Sequence, residues 1–202
     1  RRIEVGGTDK EERVRAARVV EVFVIASALL AIAAGTAAAL TYTVKPDGSG
    51  DYPTIQAAID AAPDSLTYIA LTDGTFAGPG NRDIVVPPKR LFISSQSGDY
   101  MACQIDCGGS AGDQHRGFHF VATGGSEFAE IQGVGIINGY ASDGGAGIWV
   151  EGANPRIINC AVGFCTVDNT NGKGGGLLVT DGGAPQVTLC MFTMNSAGKG
   201  GG

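Results

Sequence analysis

The sequence predicts an all-β chain: a parallel β-solenoid closed at its N-terminal end by one short α-helix. Three observations predict it. The C-terminal third repeats itself at a near-constant interval. The chain holds 33 glycines, more than twice the roughly 7% of an average protein, with no period of three, which excludes collagen and points to many tight turns. One apolar stripe at helical spacing precedes a long run of short β-prone segments and has no successor.

Residues 1–39 read as an export segment. Arg13, Arg15 and Arg18 form a basic region, the uncharged run from Val22 to Leu40 follows, and Ala37-Ala38-Ala39 fits a signal-cleavage site. An uncleaved membrane anchor is the competing reading, because an uncharged run of that length just spans a bilayer. Residues 40–202 form the β-helix domain.

Thr41 to Val44 is a short β-prone run, and Asp47-Gly48-Ser49-Gly50 is turn chemistry. Pro53 suits a first helical turn, Ile55, Ala58, Ile59 and Ala62 share one face, and Pro63 stops the helix. A helix over 54–62 therefore covers the first coil and its open sheet edge. Strands are expected at Leu66–Leu71, Ile84–Val86, Leu91–Ser94, Gly117–Val121 and Ile131–Ile137, separated by Gly, Pro, Asp and Ser.

The repeats choose a solenoid over a sandwich or barrel. Ala153-Asn154-Pro155-Arg156-Ile157 returns as Gly183-Ala184-Pro185-Gln186-Val187, and Cys160 returns as Cys190 at the same offset. Gly172-Lys173-Gly174-Gly175-Gly176 returns as Gly198-Lys199-Gly200-Gly201-Gly202 at a slightly shorter one. Such self-similarity marks stacked units. Ile148 should lie over Leu177, Ile157 over Val187 and Cys160 over Cys190. Corner glycines should supply positive φ. The chain stops inside a repeat, so it reads as part of a longer protein with further coils.

Net charge is −6, and −7 for residues 40–202 alone, where eight basic residues face fifteen acidic ones. That balance argues against a nucleic-acid partner. It leaves membrane attachment to an uncleaved signal or a C-terminal anchor. Cys103, Cys107, Cys160, Cys165 and Cys190 form no CxxC pair, so zinc-ribbon and thioredoxin readings have little support, and their disulfide state stays open.

The run Lys45-Pro46-Asp47-Gly48-Ser49-Gly50-Asp51-Tyr52-Pro53-Thr54-Ile55-Gln56-Ala57-Ala58-Ile59-Asp60-Ala61-Ala62-Pro63 resembles the opening of pectinesterases and other pectin-lyase-like proteins. The C-terminal repeats resemble those of bacterial secreted β-helix repeat proteins. Phe192-Thr193-Met194-Asn195 is also similar to the F-x-x-N repeat of chlamydial polymorphic outer-membrane proteins, although the earlier unit has Val162-Gly163-Phe164-Cys165 there. The resemblance implies a right-handed parallel β-helix, secreted or displayed on the outer cell surface. The D-F-I-F-G-like strand of pectinesterases, the N-T-D, D-D and R-I-K set of polygalacturonases and the R-x-P-x-x-R segment of pectate lyases have no counterpart here.

No catalytic set is expected, and the ligand-binding candidates are His119, Arg116, Trp149 and Asp106. His115, Arg116 and His119 form a polar cluster, and alternation puts Phe118 and Phe120 inside and His119 outside. Trp149, Tyr140 and Tyr100 are candidates for a sugar-stacking face. Asp106 suits a turn. Asp143, Asp168 and Asp181 flank Gly-rich turns, where calcium is conceivable, but no cofactor is expected. The leading expectation is a non-catalytic surface for adhesion or for binding polysaccharide or host-cell glycans. The alternative is a polysaccharide lyase, hydrolase or esterase with its catalytic coils elsewhere.

Overall fold

A computed structural model describes residues 39–122 and 129–201. The predicted export segment thus lies almost wholly outside the described residues. Strand β1 (Leu40–Val44) and helix α1 (Ile55–Ala61) open the domain. The first full coil holds β2 (Thr67–Leu71), β3 (Gly74–Ala77) and β4 (Ile84–Val86). The second holds β5 (Leu91–Ser95), β6 (Cys103–Asp106) and β7 (Phe118–Val121). The third holds β8 (Ala129–Gln132), β9 (Gly135–Ile137), β10 (Tyr140–Ala141) and β11 (Ile148–Glu151). The fourth holds β12 (Arg156–Ile158), β13 (Ala161–Gly163), β14 (Thr166–Val167) and β15 (Leu177–Thr180), and β16 (Gln186–Thr188) and β17 (Met191–Thr193) begin the last.

Strands stack between coils into three parallel sheets. Their orders are β1-β2-β5-β8-β12-β16, β3-β6-β9-β13-β17 and β4-β7-β11-β15, with a two-stranded ladder β10-β14 at one corner. This is the expected parallel β-solenoid. Ile148 pairs with Leu177 and Ile157 with Val187, and the Cys160 amide lies 3.4 Å from the Cys190 sulfur, so all three expected stacks are present.

Alternation in each strand sends one residue set inward, where like stacks on like. Ile69, Ile93, Ile131 and Ile157 form one buried column. Phe76, Ile105, Ile136 and Val162 form a second, and Ile84, Phe118 and Ile148 a third. In the last coil Val187, Leu189, Met191 and Met194 are exposed.

The helix forms as expected. Thr54 is its N-cap and accepts from the Ala57 amide, while Ile55, Ala58 and Ile59 are buried. Its C-terminal carbonyls are met by a distant side chain: Lys89 Nζ donates to Ile59 O at 3.1 Å and Ala62 O at 2.7 Å. Gln56 covers the sheet edge directly. Its side-chain amide accepts from Val85 N–H and donates to Val85 C=O, standing in for the missing neighbour of edge strand β4.

Three expectations needed revision. The single strand at 131–137 is two, because Gly133 turns the chain with φ +68°. An additional strand, β3, lies between the first two expected ones; its single buried residue is Phe76. Only some repeat glycines serve positive φ, as Gly174 and Gly200 do. Gly147 instead sits where a Cβ would lie 2.4 Å from Val162 Cγ1 and 2.5 Å from Gly176 O, so close approach of the coils requires it. The two repeat offsets also reconcile. Thr166 bridges to Ser196 and Lys173 to Lys199, and the turn between those bridges is shorter in the last coil.

Candidate functional site

The turn between β6 and β7 is long, running from Cys107 to Gly117, and carries Asp113, Gln114, His115 and Arg116. It packs across the neighbouring coils. Tyr140 N–H donates to His115 C=O at 2.7 Å, and Ser142 N–H donates to Gln114 Oε1 at 3.0 Å. On the other side Asp83 and Arg116 exchange bonds: Asp83 N–H donates to Arg116 C=O, and Arg116 N–H donates to Asp83 Oδ1. Asp83 holds φ +52°, a conformation Asp tolerates better than most side chains.

These contacts frame a polar cleft of about 280 Å³ lined by Asp83, Gln114, His115, Arg116, Tyr140, Ser142 and Asp143. Three successive coils contribute to it. His115 lies between two carboxylates, with Nδ1 2.5 Å from Asp83 Oδ2 and Nε2 3.0 Å from Asp113 Oδ1. Arg116 Nη2 donates to Asp143 Oδ1 at 2.7 Å. Tyr140 donates its hydroxyl to Asp168, which raises its pKa above the ordinary phenol value.

Arg116 joins this cleft to an aromatic stack on the third sheet. Its guanidinium carbon lies 5.0 Å from the Trp149 ring centre. His119 pairs with Trp149 across the β7–β11 ladder, and their rings stack at 4.2 Å with 6° between planes. Trp149 Nε1 donates to Thr180 Oγ1, and His119 Nε2 meets Glu151 Oε2 at 2.9 Å. Burial lowers the His119 pKa, with Glu151 opposing it.

The structure thus brings His119, Arg116 and Trp149 together and leaves Asp106 apart. Asp106 Oδ1 accepts from Gly108 N–H and Asn138 Nδ2, the work of a turn carboxylate, and Asp106 does not line the cleft. The three candidate stacking aromatics do not form one sugar-binding face. His119 covers one face of the indole, Tyr140 lines the cleft, and Tyr100, in the turn before β6, neither lines the cleft nor joins the stack. Asp143 is engaged by Arg116 and Asp168 by Tyr140, and no group of three His, Cys, Asp or Glu among the described residues is gathered for a metal ion.

Sequence reasoning missed Asp83, Asp113, Gln114, Ser142 and Glu151. For Glu151 the available signal was the coil period, since it stands 32 residues after His119 on the paired strand. The cleft residues carried no such signal, because their separations, 32 for Asp83 and His115 and 27 for Arg116 and Asp143, share no one period.

All five cysteines are free thiols. Cys103, Cys107 and Cys165 are buried, and burial raises each above the ordinary thiol range, Cys103 and Cys165 to about 11. Cys160 and Cys190 titrate as a pair. Cys160 donates toward Cys190, which holds the Cys160 proton on and lowers the Cys190 pKa to about 6.

Fold and site together define a parallel β-solenoid with a polar corner cleft, floored by the half-buried side chains of His115 and Arg116. Comparison with known proteins found no matching family model, no matching curated protein and no matching solved structure. Among the described residues no helix is long and apolar enough to cross a membrane.

Proposed function

We propose that this chain is a secreted or cell-surface β-helix repeat protein that binds glycans without turning them over. One observation carries the reading: the corner cleft still offers unengaged polar groups on a rigid frame. Among the described residues the Gln114 amide nitrogen, the Ser142 hydroxyl and Asp143 Oδ2 have no hydrogen-bond partner, and all three residues line the cleft. Neighbouring donors and acceptors of that kind match the vicinal hydroxyls of a sugar. The sequence of residues 1–39 supports export, and the pectin-lyase-like resemblance of the cap and repeats supports the setting.

The test is a titration of the whole chain with a panel of oligosaccharides. Trp149 is the sole tryptophan and touches Arg116 of the cleft, so its emission reports occupancy. Saturable change that is lost in Gln114→Ala supports the reading. A flat response across the panel, with no heat of binding, would defeat it.

A second reading keeps the enzyme alternative. His115 is held between Asp83 and Asp113 in the cleft floor, the kind of carboxylate-oriented imidazole that general acid–base chemistry uses. Release of reducing ends or unsaturated products, abolished in His115→Ala, would establish it over simple binding.

A further inference from the structure

We propose that the corner cleft takes an uncharged sugar chain and discriminates against uronate polymers. This rests on the reading of the cleft as a glycan site and names its ligand class. What decides between the two ligands is the charge each would meet. The side chains of Asp113, Asp143 and Asp83 are 70%, 59% and 47% exposed, whereas those of His115 and Arg116 are each 17% exposed. The basic groups form the floor and the carboxylates form the rim.

The basic groups are also already engaged. Both His115 nitrogens face carboxylates, and Arg116 Nη2 is bonded to Asp143. Arg116 Nη1 has no hydrogen-bond partner, but it is closed off from solvent, and its guanidinium lies against the Trp149 ring. A ligand carboxylate therefore finds no reachable cation in the cleft to pair with. It would instead sit beside the exposed rim carboxylates, whose repulsion is offset only in part by the already bonded Arg116 and by Arg82, whose Nη2 lies 4.0 Å from Asp113 Oδ2 outside the cleft lining. The net charge of −7 over residues 40–202 adds a field of the same sign.

Hydroxyls fit the same rim well. A sugar hydroxyl donates to Asp143 Oδ2 and accepts from the Gln114 amide, and neither bond displaces an existing one. A carboxylate replacing the hydroxymethyl group removes a donor and adds a like charge.

The experiment compares oligogalacturonate with galactan oligosaccharide of matched length, by calorimetry and Trp149 emission at low salt. The uncharged oligosaccharide should bind at least tenfold more tightly, and the gap should narrow as salt screens the rim. In Asp143→Asn the gap should shrink at least threefold, because one rim charge is gone while the acceptor oxygen remains. Equal or tighter binding of oligogalacturonate to the wild-type chain would overturn the proposal while leaving glycan binding intact. Binding of neither, nor of any other neutral oligosaccharide in the panel, would sink both.

Discussion

Replacing Ile131 with alanine removes three carbons from the middle of the column Ile69–Ile93–Ile131–Ile157, where Ile131 is fully buried between two coils. At about 0.8 kcal/mol per buried carbon the transfer loss is about 2.4 kcal/mol, and the cavity left between rigid neighbours brings the total to about 3–4 kcal/mol. Val187 occupies the same column one coil beyond Ile157, but it is 41% exposed, and among the described residues it pairs only with Ile157 in that column. Val187→Ala removes two carbons, about 60% covered, and should cost about 1 kcal/mol. Urea unfolding followed by far-ultraviolet circular dichroism gives both values. In a stack of coils each residue answers only to its neighbours, so the ratio of roughly three to one is diagnostic. Equal losses, or a loss under about 1 kcal/mol for Ile131→Ala, would refute the stacked core.

Other outcomes follow from particular contacts. Burial keeps folded His119 below its ordinary pKa of 6.5, so the unfolded chain binds more protons just below that pH. Stability should therefore fall as pH drops through 6.5 and level off once folded His119 also protonates; urea midpoints in His119→Gln should lack that step. Leu189 holds φ +56° and is 80% exposed, so Leu189→Asn should gain about 0.5–1 kcal/mol in urea unfolding by relieving strain at no cost in burial. Cys190 should alkylate well before the other four cysteines near neutral pH, as peptide mapping would show, because its pKa lies at about 6. Lys89→Met should lower the unfolding free energy by about 1–3 kcal/mol in the same urea assay, because the charged donor to the helix-end carbonyls is lost.

Much of the fold was legible because it repeats. Ile157 and Val187, or Cys160 and Cys190, announce their own stacking by recurring at one offset. The cap was legible because Ile55, Ala58, Ile59 and Ala62 make a stripe that only a helix can present to a core. Its finer chemistry was not: Gln56 finds Val85, and Lys89 finds Ile59, across 29 and 30 residues with no periodic signal. The first coils were harder to read than the last. β3 carries one inward residue, Phe76, and the turn from Cys107 to Gly117 has no equal-length partner in other coils.

The site was only half legible. Strand alternation places His119 and Trp149 outward, but the strand register that sets them side by side was supplied by the structure, because the recognisable repeats lie C-terminal to His119. The cleft does not follow from pattern. Asp83, His115 and Asp143 converge because an irregular turn folds over a corner, and irregular turns lie outside the period that made the rest readable.

Nuclear Overhauser contacts from the Trp149 indole test the stacking of coils most directly. Parallel stacking predicts cross-peaks to the His119 ring, one coil earlier, and to the Leu178 side chain, one coil later, on opposite sides of one residue. Contacts confined to residues near Trp149 in sequence, or to an antiparallel neighbour, would contradict it.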